Sequence, residues 1–78
     1  MALKELIETI AQALVDDPDG VEVTELERDH GAVIELRVSK GDIGKVIGKD
    51  GRTAQSMRTL LAAASTKVGK RVHLDIVD

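Results

Sequence analysis

The 78-residue chain contains no cysteine and no Phe, Tyr or Trp, and it has a single proline, Pro18. Without cysteine there is no disulfide framework and no thiolate metal site, which fits a reducing cytoplasm. Without Phe, Tyr or Trp, the large aromatic platforms that stack on planar ligands are missing. No run approaches the ~18 apolar residues of a membrane span. The N-terminal MALKELIETI carries Glu5 and Glu8 where a secretory signal would be basic and then apolar, so a cytosolic protein is expected. Repeats, linkers and low-complexity segments are also missing, and the length allows one domain. A chain this short buries only about 60% of its unfolded surface, so its core is marginal.

Charge is present but segregated. The net charge of −3 hides an uneven distribution: residues 1–39 hold three basic and ten acidic side chains, residues 40–73 eight basic and two acidic. A field of this kind steers anions to one side of a molecule. The acidic total therefore does not exclude a polyanionic partner.

Hydrophobic spacing gives the elements. Leu3, Leu6, Ile7, Ile10, Ala11 and Leu14 follow one helical stripe, ended by Pro18 and the following Asp19-Gly20. Val21 and Val23 alternate with polar residues, but Leu26 falls on the opposite parity, which predicts a bulge or a loosely patterned edge strand. Arg28 to Gly31 reads as a hairpin turn, and Ile34, Leu36 and Val38 as a half-buried strand. A short helix carries Ile43, Val46 and Ile47. A longer one, from about residue 52, carries Met57, Leu60, Leu61, Ala64 and Val68 and closes at Gly69. Val72, Leu74 and Ile76 form a last strand, with His73 and Asp75 outward. The order αββααβ, with one apolar sheet face, predicts a two-layer α+β domain with its helices on one side. A helical crossover makes the last two strands parallel and the three-stranded sheet mixed.

Between strand and helix lies VSKGDIGKVIGKDGR, with Gly41, Gly44, Gly48 and Gly51. It is not a P-loop: Gly44 to Gly48 is one residue short, and Asp50 stands where a hydroxyl must ligate magnesium. Nor does it hold the G-x-G-x-x-G of a dinucleotide site. His30 and His73 have no nucleophile that the sequence places beside them, so no enzyme is expected, and no cofactor or metal. What remains is GKDG between two helices. Gly44 would let a neighbour pack closely, Gly48 would end the short helix, and Gly51 would turn the chain into the next. The free N–H groups at that helix start, with Lys49 and Arg52, suit a phosphate.

The run Ile43-Gly44-Lys45-Val46-Ile47-Gly48-Lys49-Asp50-Gly51-Arg52 resembles the signature of a KH domain, and the element order resembles the type II arrangement. Over essentially its whole length the chain is similar to the small KhpA family of bacterial RNA-binding proteins. The resemblance implies one KH domain over residues 1–78, with residues 1–28 as N-terminal helix and edge strand and 29–78 as core. It implies a groove for about four nucleotides of single-stranded RNA, with loop 48–51 clamping the backbone. Gly48, Lys49, Asp50 and Gly51 would form the clamp, assisted by Arg52 and Lys45. Ile43, Gly44, Val46 and Ile47 would lie along or under one wall, and the second helix with strand 71–76 would form the other. Asp50 is out of place beside a phosphate unless it points away or pairs with Arg52 or Lys45. Also implied are a homodimer or a heterodimer with a larger KhpB (Jag)-type KH protein, and a role as RNA chaperone or post-transcriptional regulator linked to cell-envelope growth and cell shape. Membrane association is not implied. A protein–protein adaptor whose KH fold has lost nucleic-acid binding is the alternative, with Asp50 as its visible sign.

Overall fold

The computed structural model describes residues 2–77, so the domain limits Met1 and Asp78 lie outside the described residues. The elements follow the expected order: α1 (Leu3–Leu14), β1 (Glu22–Arg28), β2 (Gly31–Arg37), α2 (Ile43–Ile47), α3 (Arg52–Val68) and β3 (Arg71–Val77). The sheet runs β1-β2-β3, antiparallel between the first pair and parallel between the second. The helices pack on one face, giving the two-layer type II KH arrangement that the sequence predicts.

Alternation dictates the core. Ala32, Ile34 and Leu36 of the central strand all point to the helical side, joined by Val23, Val72 and Leu74 from the flanking strands. Ile7 and Ala11 of α1, Val46 of α2, and Met57 and Leu61 of α3 close over them. Pairing of β1 with β2 is unbroken from Glu22↔Arg37 to Arg28↔Gly31. There is therefore no bulge, and of the two readings of Leu26 the edge strand holds. Leu26 sits on the open sheet face, opposite Val33.

Two stripe assignments need correction. Leu14 is 38% exposed, because α1 ends there and Val15 turns into extended backbone to enter the core instead. In α3 the buried row is Ala54, Met57, Leu61 and Ser65, while Leu60 and Val68 are 51% and 58% exposed. Ser65 can take a buried place because its hydroxyl donates to the Ala62 carbonyl at 3.0 Å. Helix α3 then stops at Gly69 (φ 70°), whose N–H bonds the Thr66 carbonyl while that of Lys70 bonds Ser65, the paired closure that glycine makes at helix ends.

Candidate nucleic-acid interface

Helix α2 is five residues long, too short to be stable alone, and is held at both ends. At its start Asp42 is only 4% exposed. Its carboxylate accepts the backbone N–H groups of Asp16 and Asp17 at 3.2 and 3.1 Å, and the Lys45 ammonium lies 3.5 Å away. Burial pushes the Asp42 carboxyl up, but the two N–H groups and Lys45 outweigh it and hold the group below its ordinary value of 3.8. Those N–H groups would otherwise have continued α1, so Asp42 also explains why α1 stops before Pro18. Lys45 itself is turned to Asp16 (3.1 Å) and then Asp42, and Asp16 chiefly raises its pKa. Its charge is therefore compensated on the α1 side, and it does not pair with Asp50.

At the other end the chain reverses through three left-handed residues. Gly48 (φ 77°, ψ 174°) closes α2 with its N–H on the Gly44 carbonyl at 2.9 Å. Asp50 follows at φ 57° and Gly51 at φ 73°, and Gly51 is the N-cap of α3. Gly48 lies in a region that only glycine occupies readily. A Cβ there would also strike the Thr53 side chain and come within 2.9 Å of the Thr53 backbone nitrogen. Gly51 needs glycine for its φ alone, since the space around it is open. Gly44 needs it for neither reason: it is exposed helix with nothing within 4 Å, so the expected close packing there is absent.

This geometry accounts for Asp50. Apart from glycine, Asn and Asp are the residues that best tolerate left-handed backbone. The carboxylate is exposed and makes no ion pair or hydrogen bond among the described residues. Local conformation is a sufficient reason for an aspartate at this position.

Helix α3 begins with no side-chain cap and no acidic residue in its first turn. Arg52 stands there instead, against the helix dipole, an arrangement that costs about 0.3–1 kcal/mol. Lys49 and Arg52 are exposed, with no side-chain partner among the described residues. The N–H groups of Gly51 and Arg52 are taken up within the turn itself, by the Gly48 and Lys49 carbonyls, so the expected free donors are not found at these two positions. Two uncompensated cations converge on the loop beside a helix start that no side chain caps, and the chain gives up some local stability to put them there. Of the apolar residues named beside it, Ile47 is 37% exposed, Ile43 is half-buried against the core, and Val46 is fully buried beneath.

Beyond the loop a cavity of about 390 Å³ opens between α3 and β3, lined by Arg58, Thr66, Arg71, His73 and Leu74 among others. Arg58 donates from Nε to the Leu74 carbonyl at 3.4 Å, which sets its guanidinium across the opening. The sequence reading missed Arg58. Its one signal was a cation placed two turns into a helix whose first turn is already basic. Among the described residues no cluster of three or more His, Asp or Glu could hold a metal ion, and no helix is long and apolar enough to cross a membrane.

The family described as KhpA/KhpB, KH domain, matches residues 4–76. The chain is 52% identical over 77 residues to the RNA-binding protein KhpA of Aquifex aeolicus, covering 99% of this chain and 98% of that one. It is 55% identical over 73 residues to KhpA of Caldanaerobacter subterraneus, covering 94% and 97%, and 54% identical over 76 residues to KhpA of Halalkalibacterium halodurans, covering 97% and 100%. Among solved structures it resembles part of an Aquifex aeolicus Era variant bound to GDP and tetrafluoroaluminate. There the TM-score is 0.61 at 20% identity, over 95% of this chain and 29% of that one, a likeness of fold alone.

Proposed function

Because the chain belongs to the KhpA/KhpB KH-domain family, we propose that it grips single-stranded RNA at the loop Gly48-Lys49-Asp50-Gly51. It is a binding protein and not an enzyme. The observation that carries the reading is the convergence of three left-handed residues, an uncapped helix start and the unpaired cations Lys49 and Arg52. Gly48 and Gly51 carry no side chain to hold a phosphate away from the backbone at the positive end of α3, and Lys49 and Arg52 neutralise its charge. Ile47 and the exposed part of Ile43 offer an apolar wall to the bases. Val46 anchors that wall from inside, and Gly44 leaves its outer surface clear. Lys45 acts at one remove, by fixing α2 to the turn after α1 through Asp16 and Asp42.

The domain works as one unit over residues 1–78, in the cytoplasm, as an RNA chaperone or post-transcriptional regulator linked to envelope growth and cell shape. It pairs with a second copy or with a KhpB-type partner, since one short groove without aromatic stacking gains avidity by doubling. The adaptor reading loses its motive once Asp50 has a conformational reason to be there. Titrating labelled single strands and a matched duplex across salt concentrations tests the proposal. Contact with roughly four phosphates at about −0.7 each gives a log–log slope near −3 for the single strand. Equal affinity for the duplex, or a slope near zero, would refute it.

A further inference from the structure

The helices cover one face of the sheet and leave the other open. On that open face the register aligns Arg28, Gly31 and Arg71 in one row across the three strands, and Leu26, Val33 and His73 in the next. Neighbouring strands lie about 4.8 Å apart, so the two arginines flank a gap of roughly 10 Å. Gly31 leaves it bare: a Cβ there would collide with the Arg71 carbonyl oxygen. The gap is a shallow cavity of about 130 Å³ over Gly31 and Val33, bordered by Arg28, His30, Arg71 and His73. Among the described residues Arg71 has no side-chain partner, and Arg28 donates only to the Glu27 carbonyl, at 3.0 Å. Of the acidic side chains on this face, Glu35 and Asp75 lie side by side one row further along and Glu22 stands opposite Arg37 at the far end, while Asp29 lies in the hairpin turn beside His30. At the hairpin end, two arginines thus flank Gly31 with no carboxylate in their own row or the next.

Arg71 and His73 also line the cavity between α3 and β3. The two hollows thus meet at the outer edge of β3, with Arg58 between the clamp loop and that meeting point. We propose that single-stranded RNA longer than the clamped segment continues past Arg58, rounds the edge of β3 at Arg71 and His73, and is held by its phosphates on the open sheet face between Arg28 and Arg71. The inference rests on reading the GKDG loop as the clamp. Two forked guanidinium groups over an apolar, side-chain-free floor suit a phosphate with its nucleoside lying flat against backbone. A groove with room for about four nucleotides then serves as the entry to a longer site.

Arg28→Glu tests this, measured by fluorescence anisotropy with a uridine tetranucleotide and a uridine decanucleotide across salt concentrations, with Lys4→Glu as the control for bulk charge. Arg28 is exposed and its loss leaves the core intact, which far-UV circular dichroism verifies. The expected result is at least a fivefold loss for the decanucleotide and a log–log slope flatter by about 0.7–1.4, one or two phosphate contacts. Tetranucleotide affinity stays unchanged. Undiminished decanucleotide binding overturns the inference and leaves the clamp standing. So does equal weakening of both oligonucleotides, or a change in sedimentation with RNA binding intact, which would make this face a self-association surface. If the unaltered protein holds neither oligonucleotide, the clamp itself fails and the extension with it.

Discussion

Three glycines in eight positions separate conformational need from mere presence, and replacing each by alanine should change stability by different amounts and in different directions. Gly51 has φ 73° with open space around it, so Gly51→Ala carries only the left-handed penalty of about 1–2 kcal/mol. Gly48 combines φ 77° and ψ 174° with a Cβ position 2.9 Å from the Thr53 backbone nitrogen. The Thr53 side chain can rotate away but its backbone cannot, because it begins the helix that the loop must enter. Gly48→Ala therefore costs about 3 kcal/mol or more, strain and clash together. Gly44 is exposed inside α2 with ordinary φ and nothing within 4 Å. Gly44→Ala should stabilise by about 0.4–1 kcal/mol, through the unfolded chain's reduced freedom. In a domain of this size 1 kcal/mol moves Tm by roughly 4–8 °C. Thermal melts followed by far-UV circular dichroism should rank the variants Gly44→Ala above the unaltered protein, then Gly51→Ala, then Gly48→Ala. A Gly44→Ala variant that melts as low as Gly48→Ala would refute the assignment of strain to the loop.

Other consequences follow from the core and from the clasp at α2. Asp42→Asn should lower Tm by several degrees at neutral pH, because the buried carboxylate holds two backbone N–H groups and Lys45. The folded pKa of Asp42 lies below its unfolded value, so this contribution is present above about pH 4 and is lost as pH falls through the folded value. The gap between the two proteins in urea titrations should therefore close in acid, and a gap independent of pH would contradict the charge assignment. Leu61→Ala should cost about 2–5 kcal/mol and Leu60→Lys less than about 0.5, in chemical denaturation. Equal losses would mean that α3 is rotated from the position described.

Local rules and their limits are visible residue by residue. Alternation along β2 and the breaker at Gly69 were readable because each depends on neighbours in the chain, and the helical crossover followed from element order. Leu60 and Val68 were misread because a periodicity count rewards apolar residues and passes over Ser65, whose hydroxyl is satisfied within its own helix. Asp42 looked like one acid in a basic segment. Its partners lie 25 and 26 residues away, where no spacing rule reaches. Lys45 was grouped with the loop by proximity in sequence, but helical geometry turns it to the opposite side, toward Asp16. Asp50 looked like a defect in a phosphate site because its charge was legible and its backbone conformation was not. The cationic row on the open sheet face needs the strand register, which brings Arg28 and Arg71 together across Gly31.

The most direct test of the loop as the clamp is the affinity of Lys49→Asp for single-stranded RNA, measured beside Lys4→Asp. Lys49 is exposed in the loop and Lys4 is exposed on α1, and neither has a side-chain partner among the described residues. Both variants carry the same change in net charge and both should keep the unaltered Tm, since exposed substitutions stay within about 0.5 kcal/mol. At Lys49 the change removes an attraction for phosphate and adds a repulsion beside Asp50. The account predicts at least a tenfold loss for Lys49→Asp, about 1.4 kcal/mol, with Lys4→Asp close to the unaltered protein. Equal weakening by both, or no weakening by either, would contradict it.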